Sequence, residues 1–296
     1  MVTIGIDIGG MSAKLGLLQD HQIVQESVIE TGAEMDYETF LLLLKKEITG
    51  LLGQEYPYQL KQIGISSCGL IDSQKGSIVY ANNLPWKNRD ITKELSEAFG
   101  VPVKIANDAK CAALAEAVCG AGKEYERVCM ITLGTGVGGA FLCGGTLAMG
   151  NPYGDADGIL GHIGVESGGR LCTCGRRGCL EAYASATAVM RRYEEQTGEK
   201  QTAKEIFNRA RRKEEAAAQV VSEFKHYLAE GLTSLVNVLR PEIIVIGGGM
   251  AAGADLFLEE IKETVNKQAF GGSVLPVQIL PAALGNKAGI IGASLL

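Results

Sequence analysis

A chain of 296 residues with 46% hydrophobic and 21% charged side chains can bury a substantial core, which excludes a disordered protein. Its 28 basic and 34 acidic residues leave a formal net charge of −6, a balance that repels nucleic acid phosphates and anionic membranes. No apolar run approaches the roughly 18 residues of a membrane span, and the 39 glycines gather in clusters that mark tight turns.

From the N-terminus, Val2 to Ile8 is predicted as a strand, Gly9 and Gly10 as a turn, and Ala13 to Leu18 as the returning strand. This start has no basic leader and meets an acid at Asp7, so it does not read as a signal peptide. Between Asp36 and Leu52, Phe40, Leu41, Leu44, Ile48, Leu51 and Leu52 recur at helical spacing. Ile63 to Ser66 and Val101 to Ala106 are predicted as short buried strands, and the alanine-rich run Ala109 to Val118 as a helix. Val128 to Leu133, the turn Gly134 to Gly139 and the return Ala140 to Cys143 repeat the opening plan. That internal symmetry is too long for a solenoid and implies a duplicated α/β unit.

The longest helix is predicted over Glu214 to Leu239, with Val220, Phe224, Leu228, Leu232 and Val236 inward and Pro241 as its stop. Glu242 to Ile246 follows as a strand buried on both faces, ending in Gly247 to Gly249. No linker separates the halves, so two domains flanking a cleft are expected. Arg209, Arg211, Arg212 and Lys213 precede Glu214 and Glu215, the pattern of a solvated helix end. His21 and His226 have no ligand spacing.

Three glycine turns carry potential chemistry. At the first, Asp7 stands beside the backbone amides of Gly9 and Gly10, with Ser12 and Lys14 following. Such amides bind phosphate oxygens and an adjacent acid holds hydrated Mg²⁺, although an ordinary hairpin has the same sequence signature. The second, around Gly134, Thr135 and Gly136, is pinned by apolar strands and suits a rigid phosphate cradle. The third, Gly247, Gly248 and Gly249, leads from a strand into a helix, an order that suits close approach of a nucleotide. Asp108, after Asn107, fits a helix N-cap held ionised by amides and dipole, and an ionised carboxylate there also suits a general base for a hydroxyl.

The most specific constellation is His162, Cys172, Cys174 and Cys179 on a loop rich in glycine and arginine. Three thiolates and an imidazole complete a tetrahedral zinc shell with no position left for water, so the site is expected to be structural. Free core thiols are the alternative, but core cysteines do not gather on such a loop. Eight cysteines without export point to a reducing compartment, the cytoplasm.

Taken together, the motifs resemble the ROK family (repressor, open reading frame, kinase) of bacterial sugar kinases. The resemblance runs through Asp7 to Gly10, Asn82 to Trp86, Asn107–Asp108, Leu133 to Gly136, Gly161–His162, Cys172 to Gly175, Gly178 to Tyr183 and Ile246 to Gly249, essentially the whole chain. It implies an α/β protein with the duplicated, ribonuclease H-like fold of actin-like ATPases. The implied domains are a small one of residues 1–110 plus 283–296 and a large one of residues 111–282 carrying the zinc loop. The implied activity is glucokinase-like, ATP-dependent phosphorylation of a hexose, usually on the 6-hydroxyl, by a cytoplasmic homodimer with no nucleic acid or membrane partner. By resemblance Asp108 is the base. Asn83, Asn107, Asp108, His162 and Glu181 contact sugar, His162 serving zinc with one ring nitrogen. Gly9, Gly10, Ser12 and Lys14 belong to one phosphate turn and Gly134, Thr135 and Gly136 to the other. Gly247, Gly248 and Gly249 form the adenosine site, and Asp7 organises Mg²⁺.

Three positions depart from the family pattern. The first strand is read from Val2, so the added N-terminal helix-turn-helix of family repressors is not expected. Met11 stands where Thr is usual, with Ser12 adjacent. Ile159 replaces a Glu that reaches sugar hydroxyls three residues before the zinc histidine, with Asp155 and Asp157 nearby. Glucose is therefore expected to be a poor substrate. An N-acetylhexosamine kinase, for instance for N-acetylmannosamine, and a sugar sensor without turnover are the rival expectations.

Overall fold

Strands β1 (Val2–Ile8) and β2 (Ser12–Gln19) close a hairpin in which the Gly9 amide donates to the Ser12 carbonyl at 2.9 Å. The computed structural model describes residues 1–32, 34–53, 59–81, 84–147 and 159–296, so Asn83, Asp155 and Asp157 lie outside the described residues. After β3 (Gln22–Glu30), helix α1 (Tyr37–Leu52) starts where the Asp36 side chain accepts from the Thr39 amide at 2.9 Å. Its stripe of Phe40, Leu44 and Ile48 is fully buried, and Gly53 ends it with φ 52°. Next come β4 (Leu60–Ser67), β5 (Leu70–Asp72), β6 (Ser77–Tyr80), β7 (Lys87–Arg89), α2 (Ile91–Phe99), β8 (Val103–Asn107) and α3 (Asp108–Cys119). Strand β8 starts two residues later than the sequence pattern suggests, because the Val101 carbonyl is taken by the Ser96 hydroxyl.

The first sheet has the order β3-β2-β1-β4-β8, with β1, β4 and β8 parallel, and β5 to β7 form a small sheet of their own. The second half begins with β9 (Arg127–Leu133), β10 (Val137–Cys143) and β11 (Thr146–Leu147). Helices α4 (Glu181–Ala184), α5 (Ala186–Thr197), α6 (Ala203–Arg211) and α7 (Glu215–Leu239) follow, then β12 (Ile243–Gly247), α8 (Leu258–Gln268), β13 (Gln278–Pro281) and α9 (Ala288–Ser294). The second sheet runs β11-β10-β9-β12-β13, with β9, β12 and β13 parallel. Each five-stranded sheet is thus a hairpin with one further strand beyond its second arm and two parallel strands beyond its first, and the duplication expected from the repeated glycine turns is present in the topology.

The chain divides into two compact units, Met1–Gly120 with Asn286–Leu296, and Ala121–Thr146 with Ile159–Gly285. Helix α3 runs uninterrupted past residue 110 and stays whole in the first unit. Each unit has its own core. Ile4, Ile6, Phe40 and Ile63 centre the first; Ile131, Phe224, Leu228 and Ile244 centre the second.

Glycine decides two contacts. A Cβ on Gly64 would stand 1.7 Å from the Ala293 carbonyl oxygen, so α9 returns from the far end of the chain to lie backbone against backbone on β4. A Cβ on Gly231, within α7, would press on Leu180 at 2.8 Å; its absence lets the segment after Cys179 seat on that helix. The basic run at the end of α6 is ion-paired: Arg209 with Glu199 at 2.8 Å, Arg211 with Asp255 at 2.6 Å and Arg212 with Glu205 at 2.6 Å. It is a solvated helix end, as its pattern suggests.

Candidate active site

In the first unit, the parallel strands β1, β4 and β8 deliver their carboxyl ends to one edge, where sheets of this kind bind ligands. Asp7 is in register with Ser66, and Ser67 with Asn107. The Ser66 hydroxyl donates to Asp7 Oδ1 at 2.7 Å, and Lys14 faces Asp7 across the hairpin. Burial pushes the Asp7 carboxyl above the ordinary carboxylate range, while Ser66 and Lys14 pull against that rise. A Cβ on Gly289 would stand 2.4 Å from the carboxylate, so glycine lets the first turn of α9 approach it.

Asp108 opens α3, but the N-cap is Asn107, a correction to the expected assignment. The Asn107 side chain accepts from the Ala109 amide at 3.0 Å and donates to the Gly69 carbonyl at 3.3 Å. Asp108 Oδ1 accepts from the same Ala109 amide at 2.8 Å. The helix amides expected to hold it ionised are opposed by burial. Burial raises the Asp108 carboxyl above the usual range, the Ala109 bond opposes this, and the Asp7 charge adds to it. The residue nevertheless keeps solvent access. No Lys or Arg among the described residues pairs with it. Cys68 lies close enough to feel both carboxylates; burial, then these charges, push its thiol up to about 11. Sequence reasoning missed Ser66 and Cys68, although their place at a strand end beside Asp7 was the available signal.

In the second unit, β9 and β12 bring two glycine turns to one sheet edge. The Gly134 amide donates to the Gly136 carbonyl at 3.0 Å, closing the tip of the β9–β10 hairpin. Gly248, with φ 83°, lies against Leu133: a Cβ there would be 2.4 Å from the Leu133 carbonyl oxygen. Gly249 begins a 3-10 turn ending at Leu256, and α8 starts only after it. Glu181, first residue of α4, reaches this hairpin. Its Oε2 accepts from the Val137 amide at 3.1 Å, and a Cβ on Gly136 would collide with that oxygen at 2.5 Å.

The other Glu181 oxygen holds the cysteine loop: Oε1 accepts from the Thr173 hydroxyl at 2.6 Å. On that loop the ligand atoms of His162, Cys172, Cys174 and Cys179 all lie within 4.8 Å of one another. Cys174 and Cys179 sulfurs are 3.7 Å apart, and His162 Nδ1 is 3.5 Å from the Cys172 sulfur. Zn–S bonds of about 2.3 Å around a tetrahedral ion place sulfurs about 3.8 Å apart, so the donor set fits one metal ion. Turning Nδ1 inward leaves His162 Nε2 for another contact. The loop folds because Gly175 and Gly178 accept positive φ, 86° and 82°, and because the Cys172 amide donates to the Arg176 carbonyl at 2.8 Å.

Met11 is 80% exposed and Ile159 46% exposed, so neither departure from the family pattern is absorbed by a core. Ile159 begins the 3-10 turn that carries His162, whose amide donates to the Ile159 carbonyl at 3.1 Å. No helix among the described residues is long and apolar enough to cross a membrane.

Known proteins share both sequence and architecture with this chain. A glucokinase of Thermotoga maritima is 33% identical over 311 residues, covering 98% of this chain and 95% of its own. A ROK hexokinase of Thermus thermophilus superposes with a TM-score of 0.88 at 30% identity, over 100% of this chain and 97% of its own. A ROK glucokinase of Streptomyces griseus, solved with glucose and AMPPNP, gives 0.80 at 29% identity, over 99% and 98%. The sequence profile of the ROK family matches residues 3–296, and the chain therefore belongs to the ROK family.

Proposed function

We propose that the protein is an ATP-dependent hexose kinase of glucokinase type, with Asp108 as the general base. The observation that carries this reading is Asp108 itself, a solvent-accessible carboxylate at a strand end, free of cationic partners among the described residues. Ionised, it takes the proton from a sugar hydroxyl as that oxygen attacks the γ-phosphate of ATP in line. Asn107, Glu181 and His162 through Nε2 orient the sugar, and the same role is assigned to Asn83. The Gly134–Gly136 turn receives phosphate oxygens on the amides of Thr135 and Gly136; Gly9 and Gly10, with Ser12 and Lys14, form the other phosphate turn, and Gly247 to Gly249 admit the adenosine.

Asp7 has one oxygen held by Ser66 and the other without a protein donor among the described residues, which suits hydrated Mg²⁺. That ion would neutralise charge on the phosphates. His162, Cys172, Cys174 and Cys179 would hold zinc in a structural role, fixing the loop from which His162 and Glu181 act. The reading places a homodimer in the cytoplasm, supported by eight cysteines without a disulfide and by exposed Phe270, Val274 and Leu275 on one loop.

One observation favours a second substrate class. Ile159, apolar and exposed beside His162, accommodates an apolar substituent such as the methyl of an N-acetyl group better than it does a hydroxyl. The test is coupled ADP release with ATP across hexoses, N-acetylhexosamines and disaccharides. Turnover with a monosaccharide is expected; sugar binding without any ADP release would replace the kinase reading with a sensor.

A further inference from the structure

Two hydrogen bonds fasten the Gly134–Gly136 turn to the beginning of α5. The Ala186 amide donates to the Gly134 carbonyl at 2.8 Å, and the Thr187 hydroxyl donates to the Thr135 carbonyl at 2.8 Å. Within a trans peptide, the C=O and the following N–H point in opposite directions. Anchoring the Gly134 carbonyl on α5 therefore turns the Thr135 amide away from that helix. Anchoring the Thr135 carbonyl does the same for the Gly136 amide. Neither amide meets an acceptor among the described residues, whereas the next, Val137, is already taken by Glu181 at 3.1 Å. Consecutive free amides presented on one side of a turn form a nest for an anion.

Thr187 has no other work to do. The cap of α5 is Ser185, whose hydroxyl accepts from the Ala188 amide at 3.1 Å. A threonine on a helix usually turns its hydroxyl back to a carbonyl three or four residues earlier. Here it reaches across to residue 135, and the side chain is exposed, outside either core.

We propose that Thr187 is a positioning residue for the nucleotide: by holding the Thr135 carbonyl, it aims the Gly136 amide at a phosphate oxygen of ATP. The inference rests on the kinase reading and adds the device that shapes the donor site. Without the hydroxyl, the Thr135–Gly136 peptide is free to rotate and the nest loses one of its two amides. Ala186 retains the other, so the effect is graded rather than complete.

The experiment compares Thr187→Val and Thr187→Ser with wild type in the intact protein. Measured are KM for ATP, KM for the sugar, the melting temperature and the calorimetric Kd of a non-hydrolysable ATP analogue. For Thr187→Val, KM for ATP and the analogue Kd should both rise roughly three- to tenfold, the scale of one net hydrogen bond. Sugar KM and melting temperature should stay unchanged, and Thr187→Ser should restore nucleotide affinity. Unchanged nucleotide affinity in Thr187→Val overturns the proposal. So does an equal rise in both KM values with a lowered melting temperature, or a failure of Thr187→Ser to rescue. A wild type that neither binds the analogue nor phosphorylates any sugar defeats the kinase reading, and the proposal with it.

Discussion

A carboxylate that removes a proton must be ionised, reachable and free of a cationic partner, and Asp108 suits these conditions at a cost. Burial and the Asp7 charge raise its pKa, so it takes up a proton at higher pH than the ordinary aspartate value of about 4. The acid limb of kcat/KM should therefore have its midpoint above that value, and Asp108→Asn should lose turnover by roughly 10²-fold or more together with that limb. The stability effect has the opposite sign from that of a salt-bridged carboxylate. A raised pKa disfavours the ionised form in the folded state, a cost absent below the unfolded pKa and fully present above the folded one. Asp108→Asn should therefore melt no lower than wild type at pH 7, and near-normal turnover in that variant would remove Asp108 from the mechanism. Ile159 poses a question of recognition at the same scale. A sugar hydroxyl facing isoleucine lacks a partner, a penalty of roughly 1–3 kcal/mol. Ile159→Glu should move the kcat/KM ratio of glucose to the best alternative sugar about tenfold or more toward glucose; an unchanged ratio would mean that position 159 does not read the sugar.

Among the elements, the cysteine loop and α4 act as one piece, because Glu181 accepts from Thr173 on the loop and from Val137 on the hairpin. Purified protein should carry about one zinc per chain. Cys174→Ser removes the most exposed of the thiol ligands, so it should lower metal content and melting temperature and weaken sugar binding through His162 and Glu181. Folded, active protein without zinc would rule out this assignment. The loop was legible in the sequence because its ligands lie within a short span, and α1 and α7 because a core-facing helix repeats its apolar residues at fixed spacing. Other features were not legible, for physical reasons. The choice of Asn107 over Asp108 as cap turns on a side-chain rotamer and on the distant Gly69 carbonyl. The raised pKa of Asp108 comes first from burial and then from the charge of Asp7 on β1, and neither is local in sequence. The bridge made by Glu181 joins two segments that no local pattern connects.

For the molecule as a whole, the least legible feature is the path of its last helix. Helix α9 belongs to the first unit although the second unit lies between them in sequence, and what seats it is missing side chains rather than present ones. Gly5 and Gly64 admit the Ile290 and Ala293 carbonyls, and Gly292 admits that of Cys111 on α3, each closer than 2.2 Å to where a Cβ would stand. Glycines carry no periodic signal, so this docking could not be read from composition. It can be broken by adding atoms. Gly64→Val places its side chain against the Ala293 backbone, and neither partner is the flexible end of a side chain that can move aside. Overpacking of this kind costs about 1–3 kcal/mol or more, which for a unit of this size lowers the melting temperature by about 5 °C or more. The damage should be confined. Displacing α9 disturbs the approach of Gly289 to Asp7 and the packing under Asp108, so turnover falls, while the separate core of the second unit keeps its cysteine loop closed. Metal analysis, thermal melting and turnover on the same preparation decide this. A variant that loses activity and stability but keeps its zinc supports two cores that fold on their own terms; simultaneous loss of zinc would show instead that the two units fold as one.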